Sequence, residues 1–299
     1  CYLWSTQSLL SKAGMFAASK ALRVKPKSIS KADWPDVLEG VGGSISRLDE
    51  QVIVPGSFIK ALADQHQSRL LKINSECVRF ECHGEDHGPN VGAITLTGEE
   101  GQHVTLAADT VVFAAGEGNE SLRSAIGLST KAMQRRPLHV TVARGELPTL
   151  NGHCTDRNRT RVTITTDIDT QGRVVWQIGG QVSEDGVDME RETLIEHVKN
   201  ELRDTVPTFA SDVDREKVEW STYRVNRAEG ATRGRARPQE AVILQEGNVI
   251  TGWPTKLVLA PVMASRIIKM LPGRSGTTSE TNRRTDAELA DALNNWPRP

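Results

Sequence analysis

The stretch TVVFAAG, Thr110 to Gly116, constrains this chain more than any other. Its apolar run shows no alternation, so both faces of the strand need cover. That suits the middle of a parallel sheet flanked by helices. Two alanines and a glycine then let the backbone come close to whatever lies beyond the strand end. A strict dinucleotide fingerprint would read G-x-G-x-x-G, with an acidic residue about 20 positions on to hold a ribose. Gly116 and Gly118 supply two of those glycines, but Ser121 replaces the third, and RRPLHVTVARG downstream offers no carboxylate at a strand end. The strict fingerprint fails. A tight turn after a core strand and a cofactor-contacting turn both remain open.

Around this strand the pattern changes texture. PGSFIKALADQHQ starts on Pro55 and repeats Phe58, Ile59, Leu62 and Ala63 at helical spacing, with proline where a helix tolerates it. RLLKI, CVRFECH, VGAITLT and HVTLAA predict a meander of short strands. Beyond residue 130, PLHVTVARG, TRVTITTDI and RVVWQIGG alternate as in an antiparallel sheet with one wet face. ERETLIEHVKNELRDTV predicts one amphipathic helix, with Leu194, Ile195, Val198, Leu202 and Val206 on one stripe and Pro207 closing it. VEWSTYRV, AVILQ and NVITG predict strands, Pro261 opens a last helix, and residues 273–299 read as a polar linker with a short helix.

Composition narrows the function classes. Charged residues make up 25% of the 299 and leave a formal net charge of -1, which speaks against a dedicated nucleic-acid binder. The longest apolar run near the C-terminus is broken by Lys256, so the sequence predicts no transmembrane segment. Four irregularly spaced cysteines read as free thiols of a reducing, cytoplasmic compartment. Cys77, Cys82, His83 and His87 invite a metal reading. An odd separation puts the two cysteines on opposite strand faces, so no metal site is expected there. Arg233, Arg235 and Arg237 read as a solvated loop. Arg224 and Arg227, following Trp220 and beside Tyr223 at a strand end, are candidates for clamping a substrate carboxylate or phosphate. His139 and His153 flank a β segment, where hydrogen-bonded structural histidines are the commoner case.

VVFAAG resembles the second flavin-contact motif of the D-amino-acid oxidase and glycerol-3-phosphate dehydrogenase-like family of FAD-dependent oxidoreductases. Arg47 to Gln65, RLDEQVIVPGSFIKALADQ, is similar to the family's segment before the meander. Trp253 to Ile267, WPTKLVLAPVMASRI, is similar to its C-terminal flavin-contacting segment. The three occur in the family's order. The resemblance implies an α/β fold with a partial FAD-binding Rossmann-like lobe (residues 1–130 and 246–272) and an antiparallel β-sheet substrate lobe with helix (131–245). The family's first βαβ unit, which carries G-x-G-x-x-G, is expected upstream of Cys1, so the chain reads as a fragment of the full enzyme. The implied activity is oxidation of a C–N or C–O bond in a small amine, amino acid or hydroxy compound, with hydride passing to FAD. The electron acceptor stays open, and a non-catalytic flavoprotein-like subunit is the alternative. The implied cofactor contacts are Val78, Ala114, Ala115, Gly116, Gly118, Gly14, Met15, Pro254, Thr255, Lys256 and Leu257. Lys256 would stabilise negative charge on the reduced flavin, with Arg224, Arg227 and Tyr223 on the substrate side.

Overall fold

The computed structural model describes residues 1–7, 25–83, 89–156 and 159–272. Along the chain come β1 (Tyr2–Trp4), β2 (Lys27–Ser28), β3 (Ile45–Arg47), α1 (Pro55–Asp64), β4 (Arg79–His83), β5 (Asn90–Thr97), β6 (His103–Ala107) and β7 (Val111–Phe113). There follow α2 (Asn119–Ala125), β8 (Met133–Gly145), β9 (Gly152–Asp156), β10 (Arg159–Ile168), β11 (Val174–Gly179), α3 (Gln181–Asp185) and α4 (Arg191–Thr205). β12 (Val218–Gly230), β13 (Val242–Glu246), β14 (Val249–Trp253) and α5 (Ala260–Met270) complete the order. By packing, the chain divides into two units, Cys1–Pro55 with Pro137–Asn226, and Gly56–Arg136 with Arg227–Pro299.

The first unit is built on a sheet ordered β12-β8-β11-β10-β9-β1-β3-β2. Its middle strands alternate as the sequence predicts: on β10, Val162 and Ile164 are buried, and Trp176 and Ile178 are buried on β11. These side chains meet Leu194, Val198 and Leu202 of α4 in one core. Burying each such aliphatic side chain contributes about 1.5–3 kcal/mol, so the amphipathic stripe of α4 supplies much of this unit's cohesion. Residues 1–55 were expected with the flavin-binding lobe. They pack instead with 137–226, because β1 pairs in parallel with β9 and Trp4 Nε1 donates to the Thr205 carbonyl at 2.8 Å. Asp156 secures the exit of β1. It accepts from Ser5 Oγ at 2.7 Å, from Thr6 N and Oγ1 at 3.1 and 2.6 Å, and from Arg161 at 3.0 Å. Burial opposes ionisation of Asp156, but the donors from Thr6, Ser5 and Arg161 outweigh it and hold the carboxyl below the usual range.

The second unit holds the meander β4-β5-β6 and a sheet ordered β13-β14-β7. RLLKI does not join the meander. It runs from the end of a short 3-10 turn, Gln67–Arg69, into irregular chain, and Asn74 just beyond it donates its amide to the Thr97 carbonyl of β5 at 2.7 Å. A second correction concerns β7, which pairs in parallel with β14 as expected of its apolar run but lies at the sheet edge. Val111 and Phe113 are buried while Val112 is 41% exposed. The fully covered strand is β14, where all five residues are buried. Asn248, at the turn into β14, bonds Val91 of β5 through both amide atoms at 2.8 Å and ties the two sheets together. The cysteines are unpaired in disulfides, and burial pushes the Cys154 thiol far up, which keeps it a neutral core side chain. Among the described residues no helix is long and apolar enough to cross a membrane.

Candidate functional site

Parallel pairing sets Val111, Val112 and Phe113 opposite Val249, Ile250 and Thr251. Two strands running the same way end at the same place. Ala114–Gly118 and Pro254–Leu257, far apart in the chain, therefore leave side by side from the carboxyl ends of β7 and β14, where open α/β sheets bind ligands. One side chain fixes both exits. Asn119, fully buried at the start of α2, accepts from the Ala115 amide at 2.8 Å and donates to the Gly252 carbonyl at 3.1 Å. One turn on, buried Arg123 grips Glu246 in bidentate fashion at 2.7 and 3.1 Å, and donates to Thr251 Oγ1 at 2.9 Å and Ser129 O at 2.9 Å. A buried guanidinium is tolerated only with its donors used in this way.

The first exit is small and open. Ala114 and Ala115 are exposed, and Gly116 has φ +59, a left-handed conformation that favours glycine. A Cβ placed there would meet no protein atom within 4 Å. The second exit is strained. Thr255 is a buried non-glycine residue at φ 64, and Lys256 N donates to the Pro254 carbonyl at 2.6 Å around it. This is a γ-turn of the rare, strained hand. Thr255 Oγ1 donates to the Glu240 carbonyl at 2.9 Å and holds the turn. Such outliers persist where surrounding structure over-determines them, and they cluster at ligand sites. Lys256 is exposed just past the turn. Pro261 stands in the first turn of α5 as the sequence predicts, and no side chain caps that helix start. The Ala260 amide donates to the Leu257 carbonyl of the preceding 3-10 turn, and Pro261 has no amide hydrogen, so what this helix start offers is the positive end of its dipole.

The remaining candidates fall in different settings. Val78, half-buried, leads into β4. Gly14 and Met15 lie outside the described residues. Arg224 spends its guanidinium on the carbonyls of Val187 and Met189, which makes it a holder of the segment before α4. Tyr223, 43% exposed, donates its hydroxyl to Gln177 Oε1 at 3.3 Å, and burial raises its pKa. Arg227 is half-buried. His139 is locked between the Gly186 carbonyl at 3.2 Å and Thr222 Oγ1 at 2.9 Å, a structural role. Arg237 departs from the solvated-loop reading. Its Nε lies 3.9 Å from Glu229, a fully buried carboxylate also approached by Arg136 at 3.6 Å and Gln134 Nε2 at 3.3 Å. Among the described residues Glu229 Oε1 has no hydrogen-bond partner. Sequence reasoning missed Asn119, Arg123 and Glu229. The available signal was Asn119 and Arg123 four apart on one helix face.

No family model matches the chain. A curated relative from Pseudomonas aeruginosa, named "Probable FAD-dependent oxidoreductase PA4991", is 36% identical over 275 residues, 90% of this chain. The chain spans 66% of that relative's own length. The crystal structure of the FAD-dependent oxidoreductase PA4991 superposes with a TM-score of 0.73 at 31% identity, covering 93% of this chain and 69% of that one. L-proline dehydrogenase from P. horikoshii gives a TM-score of 0.57 at 11% identity, with 92% and 73% covered. Glycine oxidase from Geobacillus kaustophilus gives 0.51 at 14%, with 91% and 71% covered. The last two show a shared fold.

Proposed function

Because this chain belongs to the FAD-dependent oxidoreductases, and three of its segments resemble the D-amino-acid oxidase and glycerol-3-phosphate dehydrogenase-like family, we propose that it oxidises a C–N or C–O bond of a small amine, amino acid or hydroxy compound. The observation that carries the reading is the convergence of Ala114–Gly118 and Pro254–Leu257 at the ends of the parallel pair β7 and β14. The residues there suit a flat, anionic cofactor. Open space beside Gly116 admits close backbone approach, and small exposed alanines leave the strand end clear. FAD, when bound, supplies the hydride acceptor for the substrate.

In this reading Ala114, Ala115, Gly116 and Gly118 hold the nucleotide portion, with Val78 as a further contact. Pro254, Thr255 and Leu257 shape the second wall. Lys256 and the positive end of α5 stabilise negative charge that develops on the cofactor, a preorganised arrangement needing no rearrangement during reaction. Arg227 supplies a guanidinium fork for a substrate carboxylate, and Tyr223 a hydroxyl for a substrate polar group. Arg224, engaged with two carbonyls, acts by positioning.

The test is anaerobic titration of the FAD-loaded protein with amino acids, amines and 2-hydroxy acids, followed by visible absorbance. Bleaching by one class supports the reading. Bound FAD that no class reduces removes the proposed substrates, and failure to bind FAD removes the cofactor assignment.

A further inference from the structure

A cysteine, a glutamate and a histidine from three neighbouring strand segments of the first unit meet on one sheet face, and none belongs to the site above. Strand geometry brings them together. β1 lies between β3 and β9, with Leu3 opposite Ser46 on one side and His153 on the other. Side chains alternate along a strand, so Cys1 shares the face of Leu3 and His153, while Trp4, Ile45 and Cys154 turn into the core. The Leu48 amide donates to the Cys1 carbonyl at 2.9 Å, carrying the β1–β3 pairing outward, and Glu50 stands two residues past Leu48. Cys1 Sγ lies 3.8 Å from Glu50 Oε2, and His153 Nε2 lies 3.7 Å from the same oxygen. All three donor atoms fall within 4.8 Å of one another.

We propose that Cys1, Glu50 and His153 bind a zinc ion. With Zn–S near 2.3 Å and Zn–N or Zn–O near 2.0–2.1 Å, tetrahedral angles place neighbouring donors about 3.3–3.5 Å apart. The Cys1–Glu50 and His153–Glu50 separations need to close by only a few tenths of an ångström, and the Cys1–His153 pair starts within 4.8 Å. Thiolate and carboxylate together carry two negative charges, which match a divalent ion, and the neutral imidazole adds a third donor. The mixed sulfur, nitrogen and oxygen set suits zinc better than the oxygen-seeking magnesium or calcium. His153 is oriented from behind, since its Nδ1 bonds Thr163 Oγ1 at 2.9 Å and leaves Nε2 toward Glu50. His153 and Glu50 keep 20% and 28% exposure, so an ion has a path in. Three protein ligands leave a fourth position for water or an external ligand, the arrangement of open zinc sites.

The experiment is zinc titration of the purified protein against a chromogenic chelator, with bound metal counted by elemental analysis. One zinc per chain is expected, with at least 100-fold weaker binding in each of Cys1→Ser, Glu50→Gln and His153→Gln. Cobalt loading should give a thiolate charge-transfer band that Cys1→Ser abolishes. Tryptophan fluorescence checks that each variant is folded, and Cys82→Ser serves as the control that keeps the ion. Absence of stoichiometric zinc, binding unchanged by Cys1→Ser, or binding lost on Cys82→Ser would each overturn the assignment.

Discussion

Replacing Asn119 tests the joint between the two strand exits. Asn119→Ala removes the acceptor for the Ala115 amide and the donor to the Gly252 carbonyl. The Gly252 bond is buried, so its carbonyl loses a partner that water cannot replace, at about 1–3 kcal/mol. The Ala115 bond is half-buried and its net worth is about 0.5–1.5 kcal/mol. Together they predict about 2–4 kcal/mol of destabilisation. Asn119→Asp separates the two bonds. The carboxylate still accepts from Ala115 but sets a second oxygen against the Gly252 carbonyl, so it should be worse than alanine at neutral pH. Burial beside that carbonyl raises the folded-state pKa of the introduced acid above its unfolded value near 3.9. The folded form then binds the proton more tightly. The deficit of Asn119→Asp relative to Asn119→Ala should therefore shrink as pH falls through the raised pKa. Urea unfolding followed by tryptophan fluorescence reads these differences, since Trp253 is fully buried beside the joint. Less than about 0.5 kcal/mol for Asn119→Ala, with normal FAD retention, would refute the reasoning, because exposed substitutions already reach that size.

Three further outcomes are expected. Gly116→Val should lose FAD and also lose about 1–3 kcal/mol of stability, since the left-handed φ of +59 is hard on a branched side chain; FAD content of the folded variant checks it, with Gly116→Ala as the comparison carrying similar strain and less bulk. Lys256→Met keeps the stem and removes the charge, so stopped-flow flavin reduction should slow roughly 100-fold, about 2.7 kcal/mol; an unchanged rate and redox potential would remove Lys256 from the site. The Asp156 carboxyl has a folded pKa below its unfolded value, so it contributes stability above the ordinary carboxylate pKa that is lost as pH falls through the folded pKa. Asp156→Asn should be less stable than the parent at neutral pH, and the difference should narrow in acid unfolding curves; a constant gap would show that Asp156 gains nothing from Ser5, Thr6 and Arg161.

Much of the architecture was legible because it rests on local periodicity. β10, β11 and α4 appear where the alternation and the 194–202 stripe predict them. β1 and β9 were missed because each is short and their parallel pairing joins Leu3 to His153, a long-range contact that no local pattern encodes. RLLKI reads as a strand by composition, yet among the described residues no strand pairs with it. The apolar run at β7 correctly signalled parallel pairing, but the covered central strand is β14, whose NVITG is less distinctive. The segment resemblance marked Gly116 and Thr255, and the structure adds unusual backbone angles at both. Asn119 and Arg123 stayed hidden because a polar pair on a short helix looks solvent-facing until β14 is placed against it.

The central claim is that FAD occupies the carboxyl ends of β7 and β14. Hydrogen–deuterium exchange on the protein as its cell makes it, with FAD and after its removal, tests this most directly. The account predicts added protection at the amides of Ala114–Gly118 and Thr255–Leu257 when FAD is bound, and that Gly116→Val abolishes it. Protection confined to other segments, with these amides exchanging equally in both states, would contradict it.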